Sequence, residues 1–487
     1  MRIILQVFIL SLFASYAAAV DFSPYNKPDA PLWKDVVRKP IADGFRALVF
    51  DAFHERGKQD PERTEEFNSH MKTAIDMVSG YYVSENKVRE IFERVNVQSR
   101  WHPDSMAKWT TAIICDGTTH QRSKLTQKWV EAMKVPFTDL IDERPRYNPI
   151  ITVPIVMKYF VLVNQYYSEK NADHARRSLP VVAEFFKGGL NYGDDIPAEL
   201  LFDMMDNLTI KNLPHENGDL ATLALELFTP LFNEAPIEPW VRDGLLGILH
   251  YKVAWAYRGS GYSNTVTTEG WKGFHEHLKT ALERLEASWN AHPHPMVAGI
   301  GYRLSQVAKG VSSSETWQQR AFSSCLDNRI ALNTLAIYQL PRWGGSHAQV
   351  IATAQACHAA DRYDTYLGAH VAELYATAIF DGRHHHQKHV DSDNLILKDP
   401  AVRKTLDQWL EKTIAVNTDD PMRQNFARTR HAIFVYLGAS KEEGLELLSK
   451  MEKPANEIFK EYGLKRKEIM ADIKAEPKPP ADQVDDF

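Results

Sequence analysis

Apolar side chains recur at helical spacing along most of the chain. In residues 270–289, one face collects the apolar positions i, i+4, i+7, i+8, i+11 and i+15, which are Phe274, Leu278, Ala281, Leu282, Leu285 and Trp289. Lys, Glu and Arg occupy the opposite face, as in an amphipathic α-helix. Residues 238–257 and 364–380 repeat this pattern, with His370 on the apolar face of the second. The β-rich run 149–167 is ambiguous: its length favours a buried helix after Pro154, and a strand remains possible.

Local signals mark where the helices begin. Capping-box spacing, in which a Ser precedes a Glu or Gln by three residues, predicts helix starts at several points. Two Asp–Pro pairs combine a capping carboxylate with a proline at the first helical position. These signals are Ser312 with Glu315, Ser346 with Gln349, Ser440 with Glu443, Asp399–Pro400 and Asp420–Pro421. The pattern therefore predicts an all-α protein with defined helix boundaries.

The predicted helices come in pairs that are separated by short, Pro-bearing breaks at 101–105, 290–295 and 417–421. Repeated helical hairpins are typical of a tetratricopeptide-like solenoid, an α-α superhelix. We expect this fold, with two packed helical arrays as one arrangement and a non-repetitive all-α globule as the alternative. The regions expected are 20–233, 236–380 and 395–473, followed by a disordered Pro-rich tail at 474–487.

The first residues have the order of a secretory signal peptide. Arg2 precedes an apolar run from Ile3 to Tyr16, and the small residues 17–19 follow. We expect cleavage after Ala19 and an exported, periplasmic or secreted protein without a transmembrane segment in the mature chain. An uncleaved N-terminal anchor is the alternative. The net charge of −6 gives no electrostatic reason to bind nucleic acid.

Three cysteines are too few for a fold that disulfides stabilise. Cys357 shares an apolar helix face with Val350 and Ala354, which predicts a buried, inert thiol. Pairing of Cys325 with Cys357 stays open, because the sequence does not fix the distance between them.

The sequence contains no convincing catalytic motif. Ser260 lies between Gly259 and Gly261 after a helix, where these glycines fit a helix end better than a nucleophile elbow. Two acidic pairs precede predicted helices, where Asp is expected as a cap. The carboxylates that an α-helical hydrolase of envelope glycans or peptides would use are Asp194, Asp195 and Glu269, with Asp419 and Asp420 as the second acidic pair.

The histidines give weak signals for a metal. His275 and His277 are two apart and do not share a helix face. His385, His386 and His389 have i+3 and i+4 spacing, but they lie in a polar break. We therefore expect this segment to be an exposed loop with at most adventitious metal affinity. We expect neither a resident metal nor a cofactor. Metal carriage by these histidines is a third functional alternative.

Two stretches resemble a known family. AWAYRGSGYSNTVTTEGWKGFHEHLKTALERL and the later LPRWGGSHAQVIATAQAC are similar to the bacterial domain-of-unknown-function 4034 family, whose members resemble tetratricopeptide proteins. The resemblance covers about residues 236–380 and implies the helical fold, but it supplies no reaction. The family's hallmark positions correspond to Trp255, Ala256, Arg258, Gly259, Trp271, Pro341, Trp343, Gly344, Gly345 and Ser346.

The sequence favours a binding or scaffold protein of the cell envelope that takes a protein or peptide partner. Whether the protein is an enzyme stays open, although the lack of a convincing catalytic motif argues against it. Helical-hairpin arrays offer grooves for extended partners, and Trp, Tyr and Arg are good recognition residues. The expected ligand or partner surface comprises Arg258, Tyr262, Trp271, Arg342 and Trp343.

Overall fold

The computed structural model describes only part of the chain, and within that part the regular structure is entirely helical, without strands. The all-α prediction is therefore confirmed for this part. The described residues are 20–44, 172–191, 196–208, 210, 219–259, 261, 263–308, 313–385, 396–418, 421–438, 440–452, 454–455, 458–459, 462 and 464–474. The ambiguous run 149–167 and the N-terminal residues 1–19 lie outside these ranges.

The chain divides into two compact units, which we describe separately: unit I is Pro31–Ala331, and unit II is Met1–Ala30 with Leu332–Phe487. The division falls inside the predicted 236–380 region. In unit I the helices are α1 (Ala172–Leu190), α2 (Ala198–Asn207), α3 (Asp219–Glu234), α4 (Pro239–Arg258), α5 (Thr268–Ala291), α6 (Pro295–Ser305) and α7 (Ser314–Ser324), with a π-helical turn at Lys34–Arg38 and a 3-10 turn at Ser263–Thr265.

Helix α8 (Arg329–Tyr338) crosses the division between the units. The helices that follow in unit II are α9 (His347–Ala359), α10 (Tyr366–His385), α11 (Pro400–Val416), α12 (Pro421–Gly438), α13 (Lys441–Ser449) and α14 (Arg466–Lys474), with a 3-10 turn at Pro341–Trp343.

Of the five predicted helix caps, three are confirmed and one is wrong by a residue; the fifth, Asp420, lies outside the described residues, although α12 begins at Pro421 as predicted. Ser346, Asp399 and Ser440 each accept a hydrogen bond from a backbone N–H of the first helical turn. At α7 the cap is Ser313, which accepts from the Thr316 N–H, so the prediction of Ser312 was wrong by one residue. Three successive serines each carry a hydroxyl that could cap the helix, and the backbone geometry of the turn determines which of them forms the cap.

Helices α4 and α5 form an antiparallel hairpin at the centre of unit I. Gly259 ends α4 with φ of +72°, a left-handed conformation that glycine adopts without a steric penalty, and Thr267 caps α5. The apolar face predicted for α5 is buried from Phe274 to Leu285. Gly247 lies against Leu285, where a Cβ atom would collide with the leucine. This close approach fixes which side chains meet across the hairpin.

In unit II, helices α9 and α10 bury the faces that the sequence predicted. Val350, Ala354 and Cys357 are completely buried, and His370 of α10 is 1% exposed. Cys325 and Cys357 are both free thiols in buried positions, so the alternative of a disulfide is not realised. Burial raises the pKa of the Cys357 thiol, which keeps it protonated and unreactive.

His370 bonds through both ring nitrogens. Nε2 lies 3.0 Å from the Leu332 carbonyl oxygen, and Nδ1 lies 3.0 Å from Glu373 Oε2. Burial would raise the pKa of Glu373, but the bonds to His370 and to the Tyr366 hydroxyl outweigh it and leave the pKa lowered. Both ring nitrogens of His370 therefore have a hydrogen-bond partner. A polar residue on the apolar face is therefore satisfied.

Candidate functional site

The stretch Leu340–Ser346 builds a tight joint between α8 and α9. The Trp343 N–H donates to the Leu340 carbonyl at 2.9 Å, and Gly344 follows with φ of +92°. At Gly345 a Cβ atom would collide with the backbone of Gln339. Ser346 then accepts from the Gln349 N–H at 3.2 Å. The hydroxyl and both glycines are thus used to turn the chain, as the capping-box spacing predicts.

A buried carboxylate lies beneath this joint. Asp381 of α10 has a side chain that is only 2% exposed, and it accepts from Arg342 Nη1 at 2.7 Å. His347, the first residue of α9, places Nε2 3.0 Å from the other carboxylate oxygen. Burial of an ionised carboxylate is costly unless charged partners surround it, so this network secures the joint.

Asp381 was not predicted as a site residue, although the sequence carries a signal for it. Leu374, Ala378 and Asp381 follow one another at i, i+4 and i+7, so the carboxylate continues the buried face of α10. A charged residue at such a position needs a partner with opposite charge. The identity of the partners, 34 and 39 residues away, depends on tertiary packing.

The outer side of the joint carries an exposed apolar surface. Ile337 is 44% exposed and Trp343 is 37% exposed, and the Tyr338 ring centroid lies 4.9 Å from that of Trp343. Arg342, beside them, has a side chain that is 42% exposed. We call Ile337, Tyr338, Arg342 and Trp343 the Trp343 patch. In the described part of the chain, Val416 is the only other large hydrophobic side chain that is exposed.

The other predicted surface residues belong to unit I, where Arg258 and Trp271 contact each other. The Arg258 guanidinium lies over two indole rings, 5.2 Å from the centroid of Trp255 and 5.7 Å from that of Trp271. Its Nη1 also donates to the carbonyl oxygens of Gly259 and Gly261 at 3.1 and 3.0 Å. Arg258 therefore closes the loop after α4 by cation–π and hydrogen-bond contacts. Tyr262 lies outside the described residues.

The residues of the enzymatic and metal alternatives are largely outside the described ranges. Neither acidic pair, 194–195 or 419–420, is described, and Glu269 is exposed in the first turn of α5. His385 ends α10, while His386, His389 and the His385 side chain are not described. Within the described ranges, no group of three or more His, Cys, Asp or Glu side chains is arranged to hold a metal ion.

Unit I contains a cluster of charged side chains that was not predicted from the sequence. Asp206 of α2 lies 2.9 Å from Arg303 Nη1 of α6 and 3.1 Å from Lys252 Nζ of α4. Burial alone would raise the pKa of Asp206, but the two cations outweigh it and hold the pKa well below its usual range. Burial lowers the pKa of Lys252, with Asp206 opposing the shift. The cluster joins three helices and has the character of a structural ion network.

Comparison of the chain with protein-family models, with curated proteins and with solved structures found no match. Among the described helices, none combines the length and the apolar character needed to cross a membrane.

Proposed function

We propose that this protein is a binding module that takes a peptide segment of a partner protein on the Trp343 patch. The observation that carries the proposal is the concentration of exposed apolar side chains at one joint. Of the three exposed large hydrophobic residues in the described part, Trp343 lies in this joint with its ring against that of Tyr338, and Ile337 immediately precedes Tyr338 in α8. Clustered aromatic and Arg side chains are characteristic of binding hot spots.

The charge distribution at the joint indicates the chemistry of the partner. Asp381 is buried and the Arg342 side chain is 42% exposed, so Arg342 is the solvent-accessible member of their ion pair. We therefore expect a peptide with an aliphatic or aromatic anchor and an acidic residue beside it. The anchor would lie on Trp343 and Ile337, and the carboxylate would lie near Arg342.

The architecture supports a binding role of the helical-hairpin type. Contacts across α4 and α5 pair Asp243 with Arg284 and Trp255 with Phe274, so the two helices run in opposite directions. Such hairpins are the building unit of tetratricopeptide-like arrays. The solenoid, the resemblance to the domain-of-unknown-function 4034 family and the exported, envelope location are parts of this proposal. For the location, N-terminal sequencing of the chain purified from its native cells is expected to start at Val20.

Selection from a displayed random-peptide library tests the binding role. We expect the wild-type chain to enrich peptides with an apolar anchor next to Asp or Glu. Binding of the synthesised peptides should fall at least tenfold in Trp343→Ser and stay unchanged in Val416→Ser, which removes an exposed apolar side chain elsewhere in the same unit. Failure to enrich such peptides, or equal binding by both variants, would refute the proposal.

A further inference from the structure

Two histidines face one another across the hairpin of α4 and α5. The Nδ1 atoms of His250 and His277 lie 2.9 Å apart, the ring centroids are 5.2 Å apart, and the ring planes differ by 25°. This centroid separation is nearly the longest that a 2.9 Å contact between the nitrogens allows. The two Nδ1 atoms therefore point at each other, edge to edge.

The protonation of this pair follows from the contact. Two neutral imidazoles can approach so closely only if one Nδ1 carries a proton and the other accepts it. The receiving ring then has its own proton on Nε2. If the donating ring moves its proton from Nδ1 to Nε2 through solvent, both Nδ1 lone pairs face the space between the helices without any net loss of protons.

We propose that His250 and His277 form a two-histidine binding site for a divalent transition-metal ion. Metal–imidazole bonds of about 2.0–2.1 Å place two ligand nitrogens about 2.8–3.0 Å apart when they meet at the right angle of a tetragonal site, which matches the Nδ1 separation of 2.9 Å. Each ring has to turn by about 45° so that its lone pair points at the ion instead of at the other ring. Both side chains are partly exposed, which leaves the remaining coordination positions to water. Among first-row ions, Cu²⁺ is expected to bind most tightly.

The surroundings hold the pair in place. The Tyr257 ring lies on His277, with centroids 5.3 Å apart and planes at 19°, and it fits there because Gly273 has no side chain to collide with it. Arg284 and Glu276 are the charged groups that act electrostatically on the pair. Arg284 donates to Asp243 at 2.8 Å, which offsets part of the Arg284 charge. Glu276, next to His277, favours the cation further.

Copper titration of the full chain tests the site. The histidine tract is first removed by His385→Gln, His386→Gln and His389→Gln, so that it does not contribute bound metal. In this background we expect one Cu²⁺ per chain, a rise in Tm with CuCl₂ that EDTA reverses, and loss of both in His250→Gln or His277→Gln. His275→Gln, on the same helix but stacked on Trp271, is the matched control and should retain both.

Electron paramagnetic resonance of the tract-free chain gives a second readout that does not depend on the pair variants folding. The bound Cu²⁺ should show coupling to two imidazole nitrogens. Coupling to fewer than two nitrogens, or a Tm rise that survives in His250→Gln, would overturn the proposal, and so would the absence of any binding at millimolar CuCl₂.

Discussion

Replacement of Arg342 by Met is expected to destabilise the joint between α8 and α9, because Arg342 pairs there with the buried Asp381. Arg342→Met removes the guanidinium but keeps most of the apolar stem, so Asp381 retains only the bond from His347. Hydrogen bonds to charged groups contribute about 1.5–3 kcal/mol, and solvent weakens this one because the Arg342 side chain is 42% exposed. We expect the free energy of unfolding to fall by about 1–2 kcal/mol.

A double-mutant cycle distinguishes the interaction between Arg342 and Asp381 from other destabilising effects of the substitutions. Asp381→Asn removes the buried charge, so Arg342→Met should cost less in that background, with a coupling energy of about 1 kcal/mol. Urea unfolding followed by circular dichroism gives the global free energy, and hydrogen exchange of peptides from α9 and α10 gives the local one. Lys450→Met, which breaks an exposed pair with Glu446, is the control and should leave both unchanged.

Additive effects of the two substitutions on the free energy of unfolding would contradict this prediction. If the two single effects sum to within about 0.3–0.5 kcal/mol of the double effect, Arg342 and Asp381 do not interact in solution. A cost for Arg342→Met no larger than that for Lys450→Met would carry the same conclusion.

Three further predictions follow from local contacts. Ser346→Ala removes a helix cap and should lower the free energy of urea unfolding by about 1 kcal/mol, whereas Ser346→Asp should preserve it. Gly301→Ala places a Cβ atom against the ring of the buried Trp317 and should cost about 1–3 kcal/mol in the same measurement. The pKa of Asp206 is lowered in the folded state, so its contribution is present above its unfolded pKa of about 3.9 and is lost as the pH falls below that value. The decline of the urea midpoint below about pH 4 should therefore be shallower in Asp206→Asn than in the wild type.

The helical class and most helix starts could be predicted from the sequence. Signals such as Ser346 with Gln349 and Asp399 with Pro400 act over three or four residues, and capping energies arise from that short range. The buried face of α5 was equally predictable, because helical periodicity requires no knowledge of the partner helix. The one error among these starts, Ser312 for Ser313, arose because capping-box spacing to Glu315 favours Ser312, whereas the adjacent Ser313 offers the same hydroxyl and forms the cap.

Which polar side chains contact one another depends on the tertiary packing. Arg342 and Asp381 are 39 residues apart, and His250 and His277 are 27 apart on different helices. Periodicity shows that such a side chain lies on a buried or boundary face, but its partner depends on the register and crossing of two helices. That register is fixed by close approaches such as Gly247 against Leu285, which depend on the whole packed unit. Exposure is decided in the same way, since Trp271 and Trp343 both look like surface aromatics in the sequence and only Trp343 is exposed.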